Sequence, residues 1–325
     1  MRPAAFPLLR LLADGEFHSG QDLARSLEMS RTSVWHVVRD LDAAGLTTHK
    51  VRGRGYRLVD PPQWLDRERV YAMLGAYGAQ FEVVILDCVD STNTALLDRA
   101  AAGAPHGLCL AAELQTMGRG RRGRAWHSKL GHALTFSVLW RFNQSAAFLT
   151  GLSLAVGIAI ARTLRTVGVT DIALKWPNDV LWKRRKVAGT LIEIQGDVLG
   201  PCAAVIGIGA NLKLSAAARA RIGQPAADLS ETDQDVPDRS ALLAHLLAQL
   251  AQVLHSFGAD GFAVLREEWE NLHAYHNETV QLMLPDGQAV DGRVLGVDGS
   301  GGLLLNTAAG RQTFHVGEIS LRGLL

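Results

Sequence analysis

Gly118-Arg-Gly-Arg-Arg-Gly-Arg-Ala-Trp126 leads, after a five-residue spacer, into His132-Ala-Leu-Thr-Phe-Ser-Val-Leu-Trp140. In the first stretch Arg119, Arg121, Arg122 and Arg124 alternate with Gly118, Gly120 and Gly123. Glycine lets a backbone bend and approach a ligand closely. Arginine offers a permanent charge and a planar fork that fits carboxylate and phosphate oxygens. The glycines satisfy the dinucleotide fingerprint G-x-G-x-x-G, but that fingerprint needs a helix to follow. Here Leu134, Phe136, Val138 and Trp140 recur at strand period instead. A dinucleotide fold is therefore excluded. Two readings remain: a solvated or nucleic-acid-contacting charge run, or a loop that is mobile when empty and held by an anion when filled.

Composition bounds the rest. A chain of 325 residues predicts two or three domains with ample core. Apolar content of 48% and charged content of 20% are those of an ordinary globular protein. The net charge of +1 supplies no global field for nucleic acid or membrane, so any such role must be local. Cys88, Cys109 and Cys202 are too far apart for a disulfide framework or a zinc site and read as small hydrophobes in a reducing compartment. Arg10 and Asp14 interrupt the N-terminus before any signal-peptide core. The apolar run Leu149 to Ala161 is too short to span a bilayer. A cytoplasmic protein is expected.

Upstream of the arginine loop, residues 6–58 read as three helices and a hairpin. Leu8, Leu9, Leu11 and Leu12 form an apolar helix, Ser19 caps a second, and Ser30 caps a third running Arg31 to Ala44 and stopped by Gly45. Two short helices joined by a tight turn, followed by a β-hairpin wing from Leu46 to Val59, make a winged helix-turn-helix. From Arg31 to Arg57 six Lys/Arg face only Asp40 and Asp42, a local excess of four positive charges. Ser30, Arg31, Thr32, Ser33, Trp35, His36, Arg52 and Arg54 are candidates for a DNA face. The bland alternative is a protein-contact module. Asp60-Pro61-Pro62 closes the unit as a semi-rigid linker.

Between the linker and the loop, Glu82 to Leu86 reads as a buried strand, and Asp90-Ser-Thr-Asn-Thr94 sits before a helical run from Ala95 to Ala102. Such hydroxyl and amide side chains either cap the helix or bind a polar ring. Strand Cys109 to Leu114 leads to Gln115. Downstream, Ala146 to Val167 reads as one buried helix. Ile172 to Trp182 reads as strand, turn, strand around Pro177-Asn178-Asp179, with Lys175 and Asp179 near one end. Lys186-Val-Ala-Gly189 enters another strand. Gly207-Ile-Gly-Ala-Asn211 is glycine-rich but lacks the Lys-Ser/Thr of a P-loop. The lysines could equally be hairpin-surface charges. Arg239 to Phe257 and Phe262 to His273 read as helices. From Asn277 onward short strands alternate with tight turns such as Pro285-Asp286-Gly287.

Asp90-Ser-Thr-Asn93, Gln115, Gly118 to Trp126, Lys175-Trp-Pro-Asn-Asp179, Lys186 to Gly189 and Gly207 to Asn211 resemble, in sequence, order and spacing, the bacterial biotin protein ligases. The N-terminal unit and Gly317-Glu-Ile-Ser-Leu-Arg322 resemble their bifunctional branch, which also represses biotin-synthesis genes. The resemblance covers essentially the whole chain. Ala125 and His127-Ser-Lys129 depart from the family's usual residues without touching the arginine pattern.

The resemblance implies an α+β multidomain protein. Residues 1–62 would be the winged helix-turn-helix, 63–275 a mixed α/β core of the class II biotin/lipoyl synthetase type, and 276–325 an SH3-like β-barrel. It implies ATP with Mg²⁺, biotin as substrate, and biotinyl-5'-AMP as both intermediate and corepressor. The partners would be a biotin carboxyl carrier protein, operator DNA and a second copy of the chain, with no membrane. Ser91, Thr92, Asn93, Gln115, Arg119, Gly120, Arg121 and Lys186 would bind biotin, and Arg121, Asn178 and Asn211 the adenylate. Arg121, Lys186, Lys175 and Asp179 would act in catalysis, Asp179 on the incoming lysine. A second adenylate-covering loop would lie near 215–236. No protein metal cage is evident; phosphates and water can ligate most of an Mg²⁺ ion. The rivals are an adenylate-sensing transcription factor without ligase activity and a lipoate–protein ligase. Intact Arg121, Lys175, Asp179 and Lys186 argue against the first.

Overall fold

The computed structural model describes residues 5–43, 46–196, 200–232, 234, 238–315 and 320–323. Gly45, Val316, the Gly317 to Ile319 part of the C-terminal motif and Pro237 lie outside them. The chain divides into two units, Met1–Trp64 and Leu65–Leu325.

The first unit contains α1 (Ala5–Leu11), α2 (Gly20–Ser26), α3 (Arg31–Ala43), and the antiparallel pair β1 (Thr48–Val51) and β2 (Gly55–Leu58). Ser19 caps α2 by accepting from the Asp22 N–H, and the Ser30 hydroxyl accepts from the Ser33 N–H at the start of α3. The apolar faces of the helices are buried through Leu8, Leu9, Leu23, Val34, Val37, Val38 and Leu41. The helix-turn-helix with wing therefore forms as the periodicity predicts.

The second unit is built on a seven-stranded mixed sheet. Its strands are β3 (Glu82–Val89), β4 (Leu108–Gln115), β5 (Ala133–Phe142), β6 (Ile172–Lys175), β7 (Asp179–Trp182), β8 (Arg185–Gly196) and β9 (Cys202–Asn211), in the spatial order β3-β4-β5-β9-β8-β7-β6. Only β3 and β4 are parallel, joined through α5 (Thr92–Ala101); every other neighbouring pair in this sheet is antiparallel. A short helix, α4 (Arg67–Leu74), precedes the sheet. The helices α6 (Leu152–Thr166) and α8 (Arg239–Asp260) pack on one face of it, while α5 covers part of the other. By length and composition α8 could cross a membrane. Its leucines at 242, 243, 246, 247, 250 and 254 are instead buried in the core.

Three expectations shift. Helix α5 begins at Thr92 rather than Ala95, because Ser91 serves as its N-cap. The run from Ala146 breaks into a 3-10 turn (Ala146–Leu149) and α6, with Gly151 left-handed between them. A Cβ at Gly151 would lie within 2.9 Å of Phe262 and the Ser300 carbonyl, so close packing as well as φ demands glycine there. The run from Phe262 divides into a 3-10 turn (Phe262–Leu265) and α9 (Arg266–Asn271).

Between β9 and α8 lies α7 (Ala216–Arg221). The C-terminal strands are β10 (Thr279–Met283), β11 (Ala289–Val297), β12 (Leu303–Thr307), β13 (Gly310–Phe314) and β14 (Ser320–Gly323). They form one antiparallel sheet ordered β13-β12-β11-β10-β14. The sequence reading missed β14, which is short and pairs with the distant β10. The described residues from 276 onward form their own sheet, and its Val280, Leu282, Val294, Val297, Leu303 and Leu305 belong to the hydrophobic cluster of the ligase-like sheet. The Trp176 indole also donates to the Gly301 carbonyl at 3.0 Å.

Candidate functional site

Strand alternation builds the hollow. On β5, Phe136, Val138 and Trp140 enter the large core, so Thr135, Ser137 and Leu139 face the other way. On β9, Ile206, Ile208 and Ala210 enter the large core, leaving Val205, Gly207 and Gly209 on the α5 side. The larger residues of that face, Leu139, Ala203 and Val205, pack against Leu96 of α5. Beyond them the sheet continues with mostly small or polar residues, Leu191 being the large apolar exception. The result is an open cavity lined by Ser91, Thr92, Asn93, Gln115, Arg119, Gly120, Arg121, Trp126, Asn178, Lys186, Thr190 and the glycines 189, 207 and 209, among others.

The α5 N-terminus supplies one wall. The Gln115 side-chain oxygen accepts from the Thr92 N–H (2.7 Å) and its hydroxyl (3.1 Å). The Ser137 hydroxyl lies 2.7 Å from that of Thr92 and 2.6 Å from Asn93 Oδ1. Asn93 Nδ2 donates to the Leu191 carbonyl and to Glu193 Oε2. Asn93 is thus oriented from both sides. A Cβ at Gly207 would come within 2.0 Å of Asn93 Oδ1, which is why this strand position is glycine.

The arginine loop is a compact hairpin over the cavity. The Trp126 N–H donates to the Gly118 carbonyl (2.8 Å), and the Gly120 N–H to that of Arg124 (2.7 Å). Arg122 is left-handed at the tip. A Cβ at Gly118 would lie 2.5 Å from the Trp126 carbonyl. Glycine's role here is therefore as much to let two strands approach as to admit a ligand. Arg119 donates to Thr94 Oγ1 (3.0 Å) and Glu193 Oε1 (2.7 Å), anchoring the loop to the sheet. Arg121 is half-buried, with no ion pair among the described residues. Burial pulls its guanidinium below the ordinary value; Asp179 opposes this, and Arg122 and Arg124 add to it. Trp126 closes the floor: a Cβ at Gly209 would be 2.5 Å from its ring.

Lys186 and Asp179 form an ion pair of 2.6 Å, both side chains largely shielded, and a Cβ at Gly189 would intrude on it at 2.8 Å. The backbone of Lys186 is held as well. Its N–H donates to the Pro225 carbonyl and its own carbonyl accepts from the Ala227 N–H, so the segment after α7 lies against β8 like a short added strand. That segment is tied by Arg219, which bonds Asp228 and Glu231, while Arg185 also bonds Glu231. Burial opposes ionisation of Glu231, but hydrogen bonds from Arg185 and Arg219 outweigh it and hold its carboxyl below the ordinary value.

Of the residues singled out from sequence, Ser91, Thr92, Asn93, Gln115, Arg119, Gly120, Arg121, Asn178 and Lys186 line one cavity. Lys175, Asp179 and Asn211 do not. Lys175 is the cross-strand partner of Asp179 in the β6–β7 hairpin. Asp179 stands beside Lys186 as its ion-pair partner rather than lining the cavity. Asn211 spends its amide on the Ala227 and Lys186 carbonyls, bracing the covering segment. Residues missed from sequence include Trp126 as a lining group, Ser137, Thr190 and Glu193. The polar positions of β5 were the available signal for Ser137. Trp126 Nε1 is buried without a hydrogen-bond partner among the described residues. An unpaired buried polar atom costs about 1–3 kcal/mol, so the indole wall of the cavity is fitted to a polar ligand, while Thr190, opposite Ile208, turns its side chain to the large core.

In the first unit, Arg31, Thr32 and Trp35 are exposed on α3, and Arg52 and Arg54 on the wing turn. Ser33 and His36 are half-buried, and Ser30 and Ser33 bond one another at the helix start, which gives them a capping task. Arg54 and Arg57 lie 4.4 and 4.9 Å from the centroid of the Phe17 ring. Lys50 is paired with Asp42 at 2.6 Å. Arg39, exposed beside Trp35, was not singled out.

Residues 85–211 match the biotin/lipoate A/B protein ligase family, residues 6–57 an HTH domain, and residues 275–322 the biotin protein ligase C terminal domain. The bifunctional ligase/repressor BirA of Escherichia coli (strain K12) is 37% identical over 97% of this chain and 96% of its own length. The chain belongs to the bifunctional biotin protein ligase and repressor family. BirA of Bacillus subtilis (strain 168) is 28% identical over 95% of each chain. The biotin protein ligase from Aquifex aeolicus, solved in complex with biotin and ATP, is 29% identical with a TM-score of 0.64, covering 75% of this chain and 99% of that one. As a member of the ligase/repressor family, the chain combines a helix-turn-helix unit, an ATP-dependent biotin ligase core and a β-rich C-terminal segment.

Proposed function

We propose that the cavity between α5 and the arginine hairpin joins biotin to ATP as biotinyl-5'-AMP and passes the biotinyl group to a carrier-protein lysine. The observation that carries this reading is the convergence of an uncharged amide-and-hydroxyl wall with Lys186 and with a half-buried Arg121 that has no ion pair among the described residues. Ser91, Thr92, Asn93 and Gln115 suit a neutral ureido ring, since they satisfy it without placing charge beside it. Arg119 and Gly120 shape the hairpin over the carboxylate end. Arg121 meets the carboxylate and phosphate. The biotin carboxylate attacks the α-phosphorus, the bond to the pyrophosphate oxygen breaks, and Lys186 offsets the charge that builds there. The carrier amine then attacks the acyl carbon, AMP leaves, and the amine proton is lost to water or to a nearby base. Asp179 positions Lys186, Lys175 supports Asp179 from the neighbouring strand, Asn178 lies on the adenylate side, and Asn211 holds the covering segment in place. Mg²⁺ would come with the nucleotide and supply charge neutralisation at its phosphates, held by phosphate oxygens and water.

Incubation with labelled biotin, ATP and apo carrier protein tests the reaction. The parent chain transfers label to carrier. Lys186→Gln is expected to slow adenylate formation by about two orders of magnitude, the scale for removal of a fixed transition-state donor. Ligand binding with no transfer by the parent would favour an adenylate sensor, and preference for lipoate over biotin a lipoate ligase.

Three working parts are proposed, at 1–62, 63–275 and 276–325, the last an SH3-like barrel in character, acting in the cytoplasm where carrier and operator DNA are both within reach. The winged helix binds operator DNA through Arg31, Thr32, Trp35, Arg52 and Arg54, with Ser30, Ser33 and His36 supporting the helix start. Formation of biotinyl-5'-AMP favours a homodimer whose two winged helices span paired half-sites. Sedimentation should then show more dimer with biotin and ATP than without; an unchanged balance sinks the coupling.

A further inference from the structure

Trp35 is an anomaly on α3. The inner face of the helix is filled by Val34, Val37, Val38 and Leu41, all buried, yet the largest side chain of the helix is 45% exposed. Exposing an indole forgoes its burial energy, so folding does not explain its presence. Its neighbours hold it. The Arg39 guanidinium lies 5.1 Å from the ring centroid, and the His36 ring meets it edge-on at 4.9 Å. Arg31, Trp35 and Arg39 follow one another at four-residue spacing, so they form a row along one face, an indole between two exposed cations.

That row lies along the second helix of a helix-turn-helix, the element that lies in the major groove. Two features of the groove match it. The thymine 5-methyl is the one apolar group displayed there, and guanine presents the O6 and N7 acceptors that an arginine fork meets in pairs. A guanidinium already stacked on an indole loses less freedom when it docks.

We propose that Trp35 and Arg39 act as a coupled base-reading pair, Trp35 packing on a thymine methyl and Arg39 bonding the Hoogsteen edge of a guanine at an adjacent step. This rests on the DNA-binding reading above and assigns its sequence specificity. The wing arginines Arg52 and Arg54 then contribute mainly sequence-independent phosphate contacts.

The test uses the full chain with biotin and ATP to select duplexes from a randomised library. Recovered sites are rescanned with uracil for thymine and 7-deazaguanine for guanine. The expected result is one thymine per half-site whose conversion to uracil weakens the parent about threefold, the worth of one buried methyl, and a neighbouring guanine whose N7 removal costs roughly tenfold. Trp35→Ala abolishes the uracil effect and Arg39→Ala the 7-deaza effect, while Trp35→Phe keeps most of the former. Circular dichroism of each variant separates loss of reading from loss of helix. Recovered sites with no substitution effect that depends on Trp35 or Arg39 overturn the pair while leaving DNA binding intact. Recovery of no preferred duplex overturns both.

Discussion

Arg121→Ala is expected to lower the rate of biotinyl-adenylate formation by about two to three orders of magnitude and to release the intermediate that does form. The magnitude is that of losing one preorganised donor aimed at developing charge in a water-poor site. The expectation follows from what Arg121 does in the fold. Its neighbour Arg119 is committed to Thr94 and Glu193. Arg121 has no such partner among the described residues, lines the cavity and is half-buried. Burial disfavours this guanidinium; Asp179 opposes that, Arg122 and Arg124 add to it, and a bound anion relieves it. Arg121→Lys keeps the charge without the fork and should fall between the two. Pyrophosphate release measures the first step, and gel filtration of labelled complex measures retention. If Arg121→Ala both formed and held the labelled intermediate as well as the parent, the anion-gripping role would be lost.

The second large effect concerns stability. Glu113 on β4 and Arg239 at the start of α8 are 0% and 1% exposed and bond at 2.5 Å. The other Glu113 oxygen accepts from the Leu65 N–H at 2.7 Å, at the point where the second unit begins. Ser240 and Asp238 extend the same attachment to Asp66 and Arg69. Removing one partner of a buried pair leaves an uncompensated charge and costs about 3–5 kcal/mol. Glu113→Ala should therefore lower the stability of the ligase unit by that amount in denaturant unfolding. Replacing both members with apolar groups removes the stranded charge, so Glu113→Met with Arg239→Leu should recover most of the loss. If Glu113→Ala unfolds at the same midpoint as the parent, the attachment has no energetic weight. Glu113 is two residues from Gln115 on the same strand, so the same anchor also stiffens one wall of the cavity.

Much of this was legible one residue at a time. The strand period of 132–140 excluded a dinucleotide fold, and β5 forms there. Ser19 and Ser30 announced two helix starts, and both hydroxyls accept the expected backbone N–H. Capping was the bland reading of Ser91; it is correct and also compatible with a place in the cavity wall. The arginine loop's backbone forms hairpin bonds of its own. The composition gave no sign of that, because the closing contacts are backbone to backbone.

What the chain determines alone is local: helical and strand periods, caps, turns, and a string of glycines and arginines whose chemistry is that of anion binding. These depend on neighbours within a few residues, which any stretch carries with it. What only the tertiary structure decides is which distant residues meet. Sheet register sets Leu191 opposite Gly207 and thereby brings Asn93, Ser137 and Glu193 into one network. The paired arrangement of β7 and β8 lets Asp179 face Lys186 across Gly189. Asn211 is turned from the cavity to brace its cover by the same logic. Partners separated by tens of residues leave no periodic trace in the chain, because the distance between them is set by strand pairing and not by sequence spacing.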